Sequence, residues 1–317
     1  MRVFRGFQDL PERAAGAVVA IGNFDGVHRG HEIVLARTRA IAVALGLPSG
    51  VVTFEPHPLQ VLRPATAPGR LTPLRAKLSQ LRLLGIDEVR VLPFNAYLMS
   101  QPAETFVTDI LVRRLGVRHV VVGRDFRFGH KRAGDVDLLM RLAGNVGLGV
   151  EILDKVAIEG EVCSSSLIRA DLEAGRVERA AERLGRPYAL RGRVVEGDRR
   201  GRQIGFPTAN IRLPGRRPQM TPAAGVYAVR ARLHGDGLGA GRPAIANLGW
   251  RPTFAGRDFR VEVHVFDFAG DLYGQVAETT FHTHIRDERR FEGIDDLKRQ
   301  IELDCKAAIR HFRAGFA

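Results

Sequence analysis

The first half of the chain alternates short runs of β-branched residues with stretches of helical periodicity. Such runs are typical of buried strands, and amphipathic stretches are typical of helices that cover a sheet. We predict strands at Ala17–Ile21, Gly50–Phe54, Glu88–Leu92, His119–Gly123 and Gly149–Leu153, with helices at Gly30–Gly46, Pro73–Gly85, Pro102–Gly116 and Asp135–Gly147. Val34, Ile41 and Leu45 have the spacing of one face of the first helix. This alternation predicts a doubly wound α/β domain that binds ligands at the carboxyl ends of its parallel strands.

The second half contains alternating runs without helices between them. We predict strands at Ala189–Val195, Gly225–Leu233, Ala244–Leu248, Arg260–Phe268 and Gln275–Ile285. In the fourth of these, Val261, Val263 and Val265 share one face, and Glu262 and His264 take the other. Closely spaced strands of this kind predict an antiparallel sandwich or small barrel. One amphipathic helix ends the chain, with a stripe formed by Ile294, Leu297, Ile301 and Ala308.

Length and composition fit two globular domains. The chain has 317 residues, of which 45% are hydrophobic and 26% charged, and Gly185-Arg186-Pro187 divides it into predicted domains 1–185 and 186–317. No apolar run approaches the roughly 18 residues that a membrane span needs. The segment Met1–Gly16 is charged and lacks the apolar core of a secretory signal. Two cysteines, Cys163 and Cys305, suit a reducing compartment, so we expect a cytoplasmic protein.

A net charge of +13 is a feature that many nucleic-acid-binding proteins have. However, the chain has 43 Arg and only 5 Lys, which resembles a coding bias more than a selected phosphate track. No basic amphipathic helix or aromatic–basic platform stands out. We therefore expect a solvated basic surface that suits anionic small molecules, with neither nucleic acid nor membrane as a partner; transient self-association stays open.

The most informative segment is Ile21-Gly22-Asn23-Phe24-Asp25-Gly26-Val27-His28-Arg29-Gly30-His31, between the first strand and the first helix. Its glycines allow the backbone to approach an anion, and the helix beginning near Gly30 offers unpaired N–H groups. His28 and His31 lie one turn apart and can present imidazole donors to one phosphate chain. The alternative is a glycine-rich turn with two incidental surface histidines.

A second segment with polar chemistry is Ser164-Ser165-Ser166-Leu167-Ile168-Arg169. Ser165 or Ser166 can cap a helix that runs to about Leu184, and Arg169 can reach a phosphate from the first turn. Serines before a helix are also common as caps alone. The two segments together resemble the histidine and Ser-Ser/Thr signatures of nucleotidyltransferases, which transfer a nucleoside monophosphate from ATP to an acceptor.

The second half carries a glycine-rich segment, Gly201-Arg202-Gln203-Ile204-Gly205-Phe206-Pro207-Thr208-Ala209-Asn210, and no Walker-type motif. The glycines permit a tight phosphate-facing loop, and Thr208 and Asn210 supply hard oxygen ligands that suit Mg²⁺. A plain hairpin turn is the alternative. Further along the chain stand Gly225-Val226-Tyr227, Asn247-Leu248-Gly249, Val261-Glu262-Val263-His264, Gly270-Asp271-Leu272-Tyr273-Gly274 and Ile285-Arg286-Asp287-Glu288.

This array resembles the flavokinase domain of bacterial bifunctional riboflavin kinase/FAD synthetases, and the first half is similar to their adenylyltransferase domain. The resemblance implies an N-terminal nucleotidyltransferase (Rossmann-like) domain and a C-terminal antiparallel β-barrel with a terminal helix. It also implies ATP and Mg²⁺ as requirements, with riboflavin, FMN and FAD as substrates or products.

Residue roles follow from the same resemblance. Glu262 would take the proton from the riboflavin 5′-hydroxyl, and Thr208 and Asn210 would hold Mg²⁺ and the ATP phosphates. His28, His31 and Arg169 would stabilise charge as FMN attacks the α-phosphorus of ATP. Substrate contacts are expected at Gly22, Phe24, Asp25, Asp125, Ser164, Ser165, Ser166, Gly201, Gly205 and Pro207. Asp125 stands where relatives often carry Asn, at a flavin-facing position, and a direct role for His57 is left open.

Three alternatives remain at this stage. One of the two sites could be degenerate; the nucleotidyltransferase could act on another phosphorylated acceptor beside an unrelated barrel; or the chain could be an RNA-binding or riboflavin-sensing regulator. The products formed from riboflavin, ATP and Mg²⁺ distinguish all three.

Overall fold

The computed structural model describes residues 1–6, 16–154, 157–158, 160–197, 201, 204–214, 219–233, 241–253 and 256–314. The chain divides into two compact units, Met1–Ser165 and Ser166–Ala317. Arg202 and Gln203 of the glycine-rich segment lie outside the described residues. Within the described part, no helix is both long enough and apolar enough to span a membrane.

The first unit is built on a six-stranded parallel sheet, which confirms the predicted doubly wound class. Its strands follow the spatial order β1-β4-β3-β2-β5-β6. Their bounds are β1 Arg2–Arg5, β2 Ala17–Ile21, β3 Ser49–Glu55, β4 Glu88–Pro93, β5 Val117–Gly123 and β6 Gly149–Leu153. The edge strand β1, which pairs with β4, has too few apolar residues to be recognised from its pattern. A small hairpin, β7 Ala157–Ile158 and β8 Glu161–Val162, follows the sheet.

Helices cover both faces of this sheet. They are α1 Arg29–Leu45, α2 Pro58–Leu62, α3 Leu74–Leu83, α4 Ala96–Ser100, α5 Ala103–Thr105 and α6 Val136–Val146. Helix α5 continues as a π-helix, Phe106–Arg114. On one face Val19 and Ile21 share a core with the π-helix and α6; on the other, Ala20 packs with residues of α1 and α3. The alternation along β2 therefore sends successive side chains into two separate cores.

The predicted buried face of α1 was partly wrong. Leu45 is 52% exposed, and Val34 and Ile41 only flank the buried stripe of Leu35, Thr38 and Ala42. The small side chains allow close packing against the sheet, where Ala42 joins a core cluster with two strand valines, Val18 and Val121. A count of large apolar residues could not detect a face built from Thr and Ala.

The second unit contains a closed six-stranded barrel in the order β10-β13-β12-β11-β14-β9. Its strands are β9 Tyr188–Val195, β10 Ala209–Arg212, β11 Gly225–Arg232, β12 Arg242–Thr253, β13 Gly256–Val265 and β14 Val276–Arg286, all paired antiparallel. Val261, Val263 and Val265 are buried, as their alternation predicts. Closure leaves no open sheet edge, which decides between the predicted sandwich and barrel.

The terminal helix α9, Ile294–Ala314, packs on the outside of the barrel. Ala308 and Phe312 contact the wall at Ala228 and Ile245, but Ile294, predicted on the buried stripe, is 63% exposed. Asp304 is buried on this face instead. Its carboxylate accepts hydrogen bonds of 2.8 to 3.1 Å from the Arg286 guanidinium, which makes its burial tolerable.

Two helices rather than one connect the serine segment to the barrel. Helix α7 spans Ser165–Glu173, Gly175 adopts a left-handed φ of +72°, and α8 spans Val177–Leu184. The expectation of one helix reaching Leu184 was therefore wrong, because Gly175 breaks it. Helix α8 belongs to the compact unit of the barrel: Glu178 accepts hydrogen bonds from the Thr283 hydroxyl and from the His284 N–H.

These contacts bear on the boundary predicted after residue 185. A fragment that begins at Arg186 lacks α8, which lies against β9 and β14 and carries the buried side chains of Val177 and Leu184. We expect the fragment Ser166–Ala317 to be more stable than Arg186–Ala317 by at least about 2 kcal/mol, the value of one or two buried apolar side chains. Urea denaturation followed by the fluorescence of the single tryptophan, Trp250, measures the difference. Equal stabilities would favour the boundary at residue 185.

Candidate functional site

A cavity of about 660 Å³ opens at the carboxyl ends of β2 and β5. These strands are neighbours, and the chain leaves β2 toward β3 on one side and later returns to β5 on the other. The cavity therefore lies at the point where the strand order reverses, the position at which doubly wound sheets bind ligands. The sequence-predicted residues that line it are Gly22, Phe24, His28, His31, Asp125, Ser164 and Ser165.

His28 and His31 together cap the N-terminus of α1. His28 is the N-cap residue; its Nδ1 accepts the His31 N–H at 3.3 Å, and the Nδ1 of His31 accepts the His28 N–H at 3.3 Å. The rings stack with centroids 3.6 Å apart. Gly30 makes this possible, because a Cβ there would lie 3.2 Å from the His28 ring and 3.3 Å from the carbonyl oxygen of Cys163. Two imidazoles thus replace the usual Ser and Glu of a capping box.

The cap also fixes the tautomer of each ring. A nitrogen that accepts a backbone N–H carries a lone pair, so the proton of the neutral imidazole is on the other nitrogen. Both Nε2 atoms are therefore N–H donors, and both residues line the cavity. Two parallel donors at a helix N-terminus are suited to bind the oxygens of a phosphate chain.

The loop that leads into the cap has an uncommon backbone. Phe24 and Val27 have positive φ angles of 47° and 43°, and Gly26 has φ of 92°. Asp25, 2% exposed, stabilises this path, because its carboxylate accepts the N–H groups of Leu71 at 3.1 Å and Thr72 at 3.0 Å. These contacts give Asp25 a positioning role, and it is not among the lining residues; direct contact with substrate stays a prediction.

The serine segment meets the same loop. Ser165 is the first residue of α7, and its hydroxyl donates to the Asp25 carbonyl at 2.8 Å rather than capping the helix. Ser164 precedes α7 and lines the cavity. Ser166 is exposed and Arg169 is 9% exposed; both lie on α7 in the second unit, and the role predicted for each remains a prediction.

The rest of the cavity wall is aromatic and apolar, with charges at its rim. Its large apolar side chains are Phe54, Phe94, Leu98, Met99, Phe106, Phe126 and Phe128. Asp125 is an exposed lining residue, and nearby Arg127 pairs with Asp135 at 3.0 Å. Such a wall suits a flat aromatic ring system beside a polar phosphate chain. His57 does not line it: its Nδ1 accepts the Leu59 N–H and caps α2.

In the second unit, strand register assembles the other predicted residues. Asn210 on β10 pairs with Glu262 on β13, and Glu262 pairs with Asn247 on β12. Directly paired residues of antiparallel strands project from the same face with Cβ atoms about 5 Å apart. Because Val261 and Val263 fill the interior, this polar row lies on the outer face of the barrel wall.

The glycine-rich segment lies beside this row. A Cβ on Gly201 would lie 2.3 Å from the Phe206 carbonyl oxygen and 3.4 Å from Thr208 Oγ1, and one on Gly197 would lie 2.1 Å from the Asn210 amide nitrogen. Gly205 has a left-handed φ of 91°. Pro207 is held by its carbonyl oxygen, which accepts a hydrogen bond from His264 Nδ1 at 2.8 Å. Only glycine fits where this backbone approaches Thr208 and Asn210 so closely.

The donor set of this row fits a hard divalent cation. A hydroxyl oxygen, an amide oxygen and a neighbouring carboxylate are the ligands that Mg²⁺ takes beside nucleotide phosphates. Within the described residues there is no cluster of three or more His, Cys, Asp or Glu, the arrangement that a transition metal would need. Thr208 and Asn210 are thus suitable Mg²⁺ ligands by chemistry.

Three residues close to these sites had no predicted role. Lys77 is 1% exposed and donates a 2.6 Å hydrogen bond to the Asn23 carbonyl under the first loop. Cys163 Sγ lies 3.5 Å from His28 Nδ1, and Asn247 joins the row of Glu262. The sequence carried one signal for Lys77. It is a lysine on the same helical face as Leu74, Leu78 and Leu81, in a chain that otherwise prefers arginine.

Comparisons with known proteins identify a family for each half of the chain. A family model for FAD synthetase matches residues 10–167, and one for riboflavin kinase matches residues 184–312. The chain is 44% identical to a bifunctional riboflavin kinase/FMN adenylyltransferase of Pseudomonas fluorescens, over 97% of each chain. It is 41% identical to the protein of that description in Escherichia coli K12, over 98% of each, and 38% identical to that of Bacillus subtilis, over 96% of this chain and 95% of the relative.

A solved structure shares the whole fold. A crystal structure described as a macrolide-efflux protein from Streptococcus pneumoniae superposes with a TM-score of 0.87 at 30% identity, covering 97% of this chain and 99% of that one. Both family models and the full-length relatives thus match in the order of the two units. The chain belongs to the family of bifunctional riboflavin kinase/FMN adenylyltransferases.

Proposed function

We propose that the two reactions of this family are divided between the two units. The enzyme phosphorylates riboflavin with ATP to give FMN and ADP, and it adenylylates FMN with a second ATP to give FAD and pyrophosphate. The first unit performs the adenylyl transfer and the barrel performs the phosphorylation. Two polar sites, one in each unit, support this division. They are the reciprocal histidine cap in the first unit and the Asn210–Glu262–Asn247 row in the second.

In the adenylyl transfer, the FMN phosphate attacks the α-phosphorus of ATP and pyrophosphate leaves. The chain has no need to form a covalent intermediate, because positioning and stabilisation of charge suffice for transfer between phosphates. His28 and His31 donate from Nε2 to phosphate oxygens on which negative charge develops, and Arg169 adds a fixed positive charge. The aromatic wall receives the flavin ring, with Asp125 at its edge.

In the phosphorylation, Glu262 accepts the proton of the riboflavin 5′-hydroxyl while that oxygen attacks the γ-phosphorus. A carboxylate on a strand of a closed barrel keeps its position, because its backbone is bonded on both sides. Thr208 and Asn210 would hold Mg²⁺ beside the ATP phosphates. When bound, the cation would neutralise charge on the departing ADP.

The proposed ligands are small molecules alone: ATP, riboflavin, FMN and FAD, with Mg²⁺. The wide aromatic cavity and the short polar row are suited to such ligands rather than to a nucleic acid. Cys163 and Cys305 are both free thiols, which supports a cytoplasmic location.

The first of three activity predictions tests the histidine cap independently of the barrel. We expect His31→Ala to lower FAD formation from supplied FMN by about 100-fold or more, the effect of losing one preorganised donor to a charged transition state. FMN formation from riboflavin should be unchanged, so FMN accumulates. Chromatography of the flavins after incubation with Mg-ATP measures both. The control is His311→Ala, at an exposed position of α9. Loss of both activities in a folded His31→Ala protein would contradict the division.

The second prediction concerns the proposed base. Glu262→Gln keeps the shape of the side chain and removes its basicity, so we expect FMN formation to fall by about 10²–10⁴-fold, the typical contribution of general-base catalysis. FAD formation from supplied FMN should persist. Glu302→Gln, at an exposed position of α9, is the matched control. Unimpaired FMN production by the Glu262→Gln protein would show that another group is the base.

The third prediction concerns the metal. EDTA should abolish both reactions, because the leaving groups, ADP and pyrophosphate, both develop a charge that a cation neutralises. Addition of Mg²⁺ alone should restore both, as followed by the release of ADP and pyrophosphate. Turnover at the full rate in excess chelator would exclude a metal requirement.

A further inference from the structure

A buried lysine lies directly beneath the loop of the proposed adenylyl-transfer site. Lys77 projects from α3 and is 1% exposed. Its Nζ donates to the Asn23 carbonyl oxygen at 2.6 Å and to Thr53 Oγ1 at 3.2 Å, and the Thr53 hydroxyl donates to the same carbonyl at 3.2 Å. One backbone oxygen of the loop is thus held by two side chains from two different elements, α3 and β3.

The carbonyl that Lys77 holds precedes the residues with left-handed backbone. Phe24 follows Asn23 directly, and its φ of 47° is costly for a residue with a bulky side chain. Such conformations persist only where the surroundings impose them. The Phe24 ring in turn lies 4.9 Å from the His31 ring, so the bond to Asn23 is linked to the position of the histidine cap.

The charges that face Lys77 come from three places. Asp25, on the loop, favours the ammonium; Glu55, at the end of β3, also favours it; and Arg70, before α3, disfavours it. Glu55 and Arg70 are paired with each other at 2.5 and 2.7 Å, and the Asp25 carboxylate is already engaged by two backbone N–H groups. Among the residues that the structure describes, none forms an ion pair with Lys77, and burial is the largest influence on its pKa.

We propose that the ammonium of Lys77 is a positioning group for FMN adenylylation, holding the Asn23 carbonyl so that the histidine cap faces the phosphates, and that only its protonated form sustains full FAD synthesis. The inference rests on the proposed function of this cavity. A charged donor makes a hydrogen bond roughly twice as strong as a neutral one. It also places a positive charge under a loop that receives polyanions, in a region where screening by water is weak.

The consequence is a dependence of FAD synthesis on pH. Burial lowers the pKa of Lys77 from 10.5 to about 8. Below this value the side chain is mainly an ammonium, and above it mainly a neutral amine that still donates but carries no charge. FAD formation should therefore fall as pH rises from about 7 to 9, whereas FMN formation by the barrel lacks this contribution.

The protonation state can be measured without any assay of activity. The chain contains only five lysines, Lys77, Lys131, Lys155, Lys298 and Lys306, so a protein labelled with ¹³C at the lysine ε-carbon gives five signals. Each of the other four can be identified by its change to Arg. We expect one signal, that of Lys77, to titrate near pH 8 in the intact chain. Titration of Lys77 together with the other lysines, near their ordinary pKa, would overturn the proposal.

The effect on the reaction is measured with variants in the same chain. We expect Lys77→Met to lower FAD formation at least 10-fold while FMN formation persists. Lys77→Arg, which keeps a charge at every accessible pH, should restore activity in part and abolish the decline between pH 7 and 9. Circular dichroism and thermal unfolding confirm that the first unit of each variant is folded, because FMN formation reports only on the barrel. The matched control is Lys298→Met on α9.

Two outcomes would overturn the inference in different ways. If Lys77→Met makes FAD at the rate of the unchanged chain, or if Lys77→Arg keeps the same alkaline decline, Lys77 is not the group responsible. If His31→Ala also leaves FAD formation intact, the cavity itself has been assigned wrongly, and the inference fails with the proposed function. The two failures are therefore distinguishable.

Discussion

The first site depends on one short loop between β2 and α1, whose backbone must be held in place by hydrogen bonds from other parts of the chain. The loop passes through left-handed conformations at Phe24 and Val27, which the chain adopts only if other groups hold it there. Asp25 binds two backbone N–H groups, Lys77 binds a carbonyl, and the two histidines cap α1 reciprocally. The hydrogen bonds that hold this loop thus also position Phe24, His28 and His31, which line the cavity.

The polar row of the barrel is assembled by strand pairing instead of by a loop. No strained loop is required for Asn210, Glu262 and Asn247, because the antiparallel register places them side by side on one face. The interior valines of β13 fix that register, since a shift by one residue would bury Glu262 and expose Val261 and Val263. Gly197 and Gly201 then let the preceding backbone approach Asn210 and Thr208 closely.

The sequence predicted what depends on periodicity and on short motifs. The parallel sheet, the barrel strands and the placement of His28 and His31 beside the first strand followed from local patterns. What could not be predicted depends on long-range contacts: Lys77 donates to the Asn23 carbonyl oxygen, and Cys163 Sγ lies 3.5 Å from His28 Nδ1. The break between α7 and α8 is instead local, at Gly175, whose φ of +72° is left-handed. Leu45 and Ile294 were misplaced because an apolar residue in a terminal turn need not face the core.

In the proposed function, two independent sites act in sequence through free FMN. The most direct test mixes the His31→Ala chain with the Glu262→Gln chain and supplies riboflavin and Mg-ATP. We expect that neither protein alone makes appreciable FAD from riboflavin, whereas the mixture does, because FMN released by the first is adenylylated by the second. FAD formation by either variant alone, or no FAD from the mixture, would contradict it.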